Sequence, residues 1–168
     1  LKEQNPDVRI VGVDPVGSVY AGYFKTGKLG TPHVYKVEGI GEDMLCKAMD
    51  FKVLDQVREV DDRQCFVAAR RLAREEGIFG GGSSGAAVHA AVELAKEVGK
   101  GKMIVVVLPD GGSSYISKFY SDEWMRDNGF LEDKGPATVA ELLKGKTREV
   151  FTARRGEKIG QVIAEMKK

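Results

Sequence analysis

Residues 77–100, "GIFGGGSSGAAVHAAVELAKEVGK", constrain the fold most strongly, because three consecutive glycines and two serines directly precede a long amphipathic helix. A helix start leaves four backbone N–H groups without partners and carries about half a positive charge. Glycines let a ligand approach that backbone where a Cβ would collide. The pattern therefore fits a ligand site. It fits equally well a tight turn between helices in which Ser83 or Ser84 caps the second helix.

The remaining pattern predicts an α/β layer architecture. Short β-rich runs predict strands at residues 8–13, 33–37 and 57–60. Asp61 or Asp62 is expected to cap a helix that Gly77 closes. The run "MIVVVL" at 103–108 is apolar without alternation, as expected of a parallel strand covered on both faces. A further helix is predicted over residues 116–128, where the aromatic side chains are expected to pack in the core.

Composition disfavours several classes of partner. Lys and Arg number 26 against 25 Asp and Glu, so a net charge of +1 provides no field to attract nucleic acid or an anionic membrane. No apolar run approaches the ~20 residues of a membrane span. Cys46 and Cys65 have neither metal-site spacing nor the density of a disulfide scaffold, which favours a reducing, cytoplasmic location. We expect no nucleic-acid partner, no membrane and no metal.

The two ends and a composition break predict the domain organisation. The chain starts at Leu1 rather than Met, and its last residues form the apolar stripe of an uncapped helix, so we expect an internal fragment of a longer protein. The stretch "EDKGP" at 132–136 is the best candidate linker, with the boundary near Lys134. The expected domains are residues 1–133 and residues 134–168.

Four motifs in fixed order carry a family resemblance: "VGVDPVGS", "VEGIGED", "EEGIFGGGSSGAA" and "LPDGGSSYISKFYSDEWM". Together they resemble the C-terminal half of the catalytic domain of the cystathionine β-synthase family. These are fold-type II, tryptophan synthase β-like enzymes that use pyridoxal 5'-phosphate. The resemblance runs from Leu1 to about Asp133. Cysteine synthases share the GIG and SSG elements, whereas "KFYSDEWM" and the attached tail favour cystathionine β-synthase.

The resemblance implies roles for particular residues. Ser83 would place its hydroxyl on the pyridine nitrogen of the cofactor, where a neutral group leaves the ring a weaker electron sink than an acidic partner would. Gly39, Ile40 and Gly41 would line the substrate side, although the following "MLC" departs from the family's usual aromatic, Ile and Pro. The other expected cofactor-binding residues are Gly82, Pro109 and Asp110.

The implied activity is that of a lyase of cysteine biosynthesis: pyridoxal-phosphate dependent β-replacement, joining serine or an activated serine to homocysteine. O-acetylserine and sulfide are the substrates of the cysteine-synthase alternative. The family's cofactor-binding lysine is expected to lie outside this chain, so the catalytic residues stay unassigned and the piece alone is expected to be inactive. A homodimer or higher homo-oligomer is expected.

Two functions of other classes stay open. Residues 137–168 resemble the start of a CBS domain, a module that often senses adenosine-containing ligands, so a regulatory protein acting through this tail is one alternative. The other is a nucleotide-binding α/β domain that uses the glycine turn for phosphate. The second is weaker, because "GGGSSG" follows a predicted helix rather than a strand and lacks the lysine of a P-loop.

Overall fold

Two parallel strands pair along their whole length. Strand β1 (Val11–Pro15) lies beside β2 (Gln56–Val60), with Val11 opposite Gln56 and Pro15 opposite Val60. The computed structural model describes residues 1–131 and the isolated positions 156, 158, 159 and 163. Residues Leu1–Leu131 form a compact unit, and all that follows concerns that unit. The predicted domain boundary near Lys134 and the tail from 134 to 168 lie outside the continuous described range.

This unit has four α-helices: α1 (Tyr20–Thr26), α2 (Asp62–Glu76), α3 (Gly82–Val98) and α4 (Asp122–Asp127). Helix α3 contacts both strands, and α1 contacts β2. Short 3-10 turns occupy Phe51–Val53 and Gly112–Tyr115. The α/β class is confirmed, as are the helix after Asp61 and the helix after the glycine turn. Asp61 caps α2 in a reciprocal capping box with Gln64, and Gly77 ends it in the left-handed conformation. The sequence patterns gave no sign of α1.

The core of this unit lies where α2 meets α3 and the segment around α4. Phe66 stacks on Phe119 with ring centroids 4.9 Å apart, and Trp124 packs edge-on against Phe66. Met125 and Cys65 are fully buried in the same cluster. Burial raises the pKa of the Cys65 thiol to about 12. The expectation that the aromatic residues after 115 belong to the core is confirmed.

The strand expected at 33–37 is absent because other groups take its backbone hydrogen bonds. The Asp62 carboxylate accepts from the Lys36 and Val37 amides at 2.8–2.9 Å. The His33 amide donates to the Gly17 carbonyl at 2.8 Å. These contacts hold an irregular segment against the start of α2 and the end of β1.

Two further expectations need correction. The run 103–108 forms no strand with any described residue and is not covered on both faces: Met103, Val105 and Val107 are exposed, while the residues between them are half-buried. The helix expected over 116–128 shortens to α4, because Ser121 is extended and its hydroxyl accepts from the Trp124 amide, starting a new helix. In the described part of the chain, no helix has the length and hydropathy of a membrane span.

Gly85 permits the closest contact between α2 and α3. A Cβ at this position would lie 2.8 Å from the Ala69 Cβ and closer still to the Cys65 carbonyl oxygen. Both obstacles belong to the first turns of α2, one of them to its backbone. No side-chain rearrangement can therefore relieve the overlap.

We predict that Gly85→Ala destabilises the protein by about 3 kcal/mol or more, at the upper end of the range for overpacking. The matched control is Gly22→Ala in α1, because nothing lies within 4 Å of a Cβ there. That change should stabilise by up to about 1 kcal/mol through helix propensity. Urea unfolding midpoints of the complete protein measure both changes. Equal midpoints for the two variants would contradict the helix contact.

Candidate functional site

Ser83 lies in the first turn of α3, after the glycine turn, residues 80–82. Gly81 is the N-cap residue and makes no side-chain cap, so the interpretation of Ser83 or Ser84 as the cap is wrong. Both serines are buried, with Ser83 exposing 3% of its surface. A buried hydroxyl that does not cap the helix is free to serve another polar group.

Two hydrogen bonds and close packing fix the glycine turn. The Tyr120 hydroxyl donates to the Gly80 carbonyl at 2.7 Å, and the Gly81 amide donates to the Asp110 carbonyl at 3.1 Å. A Cβ on Gly81 would overlap both carboxylate oxygens of Asp110. Gly82 is buried, and a Cβ there would lie 3.1 Å from a Val37 methyl. The turn consists of glycines because Asp110 and Val37 pack directly on its backbone and leave no room for side chains.

Asp110 connects Ser83 to Tyr115. The Ser83 hydroxyl donates to Asp110 Oδ1 at 2.9 Å, and the Tyr115 hydroxyl donates to Oδ2 at 2.7 Å. Ser84 donates more weakly to the Asp110 main-chain oxygen, at 3.3 Å. The hydrogen bond to Asp110 raises the pKa of Tyr115 to about 12, with burial adding to the effect. Sequence reasoning named Ser83 and Asp110 and missed Tyr115, which nothing in its spacing distinguishes from a core aromatic.

The GIG loop, residues 39–41, lies beside Ser83. A Cβ on Gly39 would be 3.9 Å from the Ser83 oxygen, and φ of Gly39 is +83°. Ile40 is half-buried and packs on the core. The Ser18 hydroxyl accepts from the Glu42 amide at 3.1 Å and donates to its carbonyl, which fixes the far end of the loop.

An ion pair spans from the GIG loop to the segment after Tyr115. Lys118 Nζ contacts Glu38, and the same ammonium lies 6.0 Å from the Tyr115 ring centroid. Glu38 immediately precedes Gly39, so the pair joins the two segments that flank Ser83. Both side chains are about half exposed, and such pairs stabilise by at most about 1 kcal/mol. The Lys118–Glu38 pair therefore connects the two segments but contributes little to holding them together.

The structure places the other residues singled out from the sequence at the surface. Pro109 is exposed, and its role toward a cofactor stays a prediction. Cys46 is exposed, as is Met44 in the divergent "MLC" stretch. Among the described residues, no three His, Cys, Asp or Glu side chains gather as a metal site would require.

Comparison with known proteins identifies the family. The model for "Pyridoxal-phosphate dependent enzyme" matches residues 1–110. The chain belongs to this family. The fold-type II resemblance is thereby confirmed, and pyridoxal 5'-phosphate is the family's cofactor.

Within this family, the chain is similar to proteins named cystathionine beta-synthase. The chain is 43% identical over 136 residues to cystathionine beta-synthase of Oryctolagus cuniculus, covering 80% of this chain and 24% of that protein. It is 40% identical over 136 residues to the Saccharomyces cerevisiae enzyme of the same name, covering 79% and 27%. It is 43% identical over 118 residues to "O-acetylserine dependent cystathionine beta-synthase" of Bacillus subtilis, covering 70% and 36%. The chain thus spans about a quarter to a third of the length of these relatives.

The residues around Ser83 fit the pyridine end of the cofactor. A hydroxyl has one proton and two lone pairs. Ser83 gives its proton to Asp110, and no described residue donates to its oxygen. A buried hydroxyl that faces a glycine loop, and that can rotate its proton from Asp110 toward a ligand acceptor, suits a ring nitrogen. The expected absence of the cofactor-binding lysine from this chain stays a prediction.

We predict that Gly41→Ala disrupts the GIG loop. Gly41 has φ +78°, and a Cβ would lie 2.7 Å from the Tyr35 hydroxyl and closer still to the Pro15 ring. The left-handed conformation alone costs about 1–2 kcal/mol with a side chain. The Val19 amide, which donates to the Glu42 carbonyl, should exchange with deuterium faster in the variant.

Gly30→Ala is the control for this loop substitution, because a Cβ there meets nothing within 4 Å. Its Val19 amide should exchange at the wild-type rate. If Gly41→Ala also exchanges at the wild-type rate, the loop is not held by the contacts described above.

Proposed function

We propose that this chain serves a lyase that makes cystathionine by pyridoxal-phosphate dependent β-replacement. The hydroxyl of serine, or the leaving group of an activated serine, is replaced by the thiol of homocysteine. Relatives of that name at 40–43% identity support the proposal. The single structural observation that carries it is the buried Ser83 hydroxyl beside Gly39. The reaction would belong to cysteine biosynthesis.

The chain's residues would divide the work around the cofactor. When bound, pyridoxal 5'-phosphate supplies the electron sink that lets a substituent leave the β-carbon and a thiol take its place. Ser83 would hold the pyridine nitrogen. The GIG loop would leave space for the amino acid, because a Cβ on Gly39 would already contact Ser83. Asp110 and Tyr115 would hold Ser83 in place from behind.

Cysteine synthesis from O-acetylserine and sulfide is the second candidate reaction. The name of the Bacillus subtilis relative specifies O-acetylserine as a donor for cystathionine formation, so the choice of donor does not decide the reaction class. The acceptor does, because sulfide and homocysteine give different products. Assays therefore need both donors and both acceptors.

The complete protein, loaded with pyridoxal 5'-phosphate, is expected to form cystathionine from homocysteine faster than cysteine from sulfide. Mass spectrometry of the products with serine and with O-acetylserine measures this. Ser83→Ala should slow the reaction roughly 5- to 150-fold, since leaving a buried hydrogen-bonding partner unsatisfied costs about 1–3 kcal/mol. The matched control is Ser84→Ala, the same substitution one residue later, which removes only the 3.3 Å contact.

Two results would count against the proposal. Cysteine as the dominant product would favour the cysteine-synthase alternative. Equal rates for Ser83→Ala and Ser84→Ala would show that the Ser83 hydroxyl does not serve the reaction.

Further expectations concern the setting of the enzyme. A homodimer or higher homo-oligomer and a cytoplasmic location stay predictions. Residues 134–168 are proposed to form a linker and the beginning of a CBS domain that binds an adenosine-containing effector. These residues lie outside the continuous described range. Addition of adenylate should then raise the melting temperature of the complete protein. An unchanged melting temperature at millimolar adenylate would contradict the proposed regulatory function.

A further inference from the structure

The GIG loop is attached to the rest of the unit just before and just after residues 39–41. Upstream, the Asp62 carboxylate accepts from the amides of residues 36 and 37. Downstream, the main chain of Glu42 bonds to the turn between β1 and α1. The backbone groups of residues 39–41 make no hydrogen bond with any residue that the structure describes. The position of this loop therefore depends on its two attachments.

Ser18 makes much of the downstream attachment. Its Oγ accepts from the Glu42 amide at 3.1 Å and from the Tyr20 amide at 3.3 Å, and it lies 3.2 Å from the Glu42 carbonyl oxygen. The neighbouring Val19 amide donates to the same carbonyl at 3.0 Å. Because an amide N–H can only donate, the first two bonds do not depend on where the hydroxyl proton points. One side chain thus joins the end of the loop to the start of α1.

The turn that carries Ser18 is anchored in the strand pair. Pro15 is buried and ends β1 opposite Val60 of β2. The Val16 amide donates to the Val60 carbonyl at 2.8 Å, and Val19 exposes only 2% of its surface. Ser18 therefore ties the GIG loop to backbone that is itself buried and hydrogen-bonded.

The stretch of loop without hydrogen bonds is the part beside Ser83. A Cβ on Gly39 would lie 3.9 Å from the Ser83 oxygen, and Gly39 and Gly41 have φ of +83° and +78°. Glycine backbone has more conformations to lose than that of other residues, so ordering such a loop around a ligand costs entropy. A restraint that exists before the ligand arrives lowers that cost and raises affinity.

We propose that Ser18 is a positioning residue that holds the GIG loop ready for the amino-acid substrate and so raises its affinity without touching it. This inference rests on the proposed function, which puts the loop on the substrate side. Once the substrate is bound, the loop takes the same position with or without the Ser18 hydroxyl. The hydroxyl therefore favours the bound substrate and the transition state equally, which lowers KM and leaves kcat unchanged.

The first test is kinetic and uses the complete protein loaded with pyridoxal 5'-phosphate. Rates are measured against serine and against O-acetylserine at saturating thiol. Ser18→Ala should raise KM for the amino acid about 2- to 12-fold, the range of one net hydrogen bond, with kcat unchanged. Ser18→Thr keeps the hydroxyl and should return KM toward the wild-type value. An unchanged KM in Ser18→Ala overturns the proposal, as does a loss confined to kcat.

The second test needs no turnover. The Glu42 amide loses its acceptor in Ser18→Ala, so it should exchange with deuterium faster than in wild type while the urea unfolding midpoint changes little. Wild-type exchange at Glu42 in this variant would show that Ser18 does not hold the loop.

Thr26→Ala is the matched control, because it removes a hydroxyl of the same kind at the other end of α1. Thr26 Oγ1 donates to the Gly22 carbonyl at 2.8 Å and accepts from the Lys28 amide at 3.2 Å. This variant should keep the wild-type KM and the wild-type exchange of the Glu42 amide. An equal rise of KM in both variants would mean that the effect comes from the stability of α1, which also overturns the proposal.

Failure of the proposed function would be seen in the wild-type protein. If wild type makes neither cystathionine nor cysteine from either amino acid, the proposed function is wrong, and the substrate role of Ser18 is wrong with it. If wild type turns over and Ser18→Ala has the same KM, the function stands and only the role of Ser18 is wrong.

Discussion

The close contact between α2 and α3 at Gly85 is the constraint on which the rest of the described unit depends. A side chain at 85 would collide with the backbone of α2, so the two helices touch main chain to main chain. This contact fixes the axis of α3, and with it the direction in which Ser83 and Ser84 leave the first turn. Phe66 on α2 also stacks on Phe119, which connects the segment after Tyr115 to the same core.

Two carboxylates then organise the segments around the serines. Asp62, in the first turn of α2, binds the Lys36 and Val37 amides and directs the chain into the GIG loop. Asp110 binds Ser83 and Tyr115 and lies against the glycine turn. Asp62 takes backbone amides that would otherwise need a strand, whereas Asp110 takes side-chain hydroxyls. Irregular backbone can therefore pass through a half-buried region without unsatisfied amides.

Sequence patterns predicted those parts of the fold whose signals are local. The helix cap at Asp61 or Asp62, the closing Gly77 and the helix after "GGGSSG" follow from neighbouring residues alone. The failures occur where distant residues decide the outcome. Residues 33–37 have strand propensity, but a carboxylate 25 or 26 positions away takes their amides. Residues 103–108 have the composition of a buried strand, yet a strand also needs a partner with free hydrogen-bonding groups, which composition cannot reveal.

The same contrast between neighbouring and distant residues applies to the candidate site. Ser83, Asp110 and the GIG loop were assigned because their motifs resemble those of a family. In the structure Ser83 donates a hydrogen bond to Asp110, and a Cβ on Gly39 would lie 3.9 Å from the Ser83 oxygen. The chemistry of Ser83 could not be assigned in the same way. The Ser83 hydroxyl donates to Asp110, which lies 27 residues away in the sequence. A motif therefore points to a candidate atom, while the hydrogen bonds behind that atom come from residues that the motif does not contain.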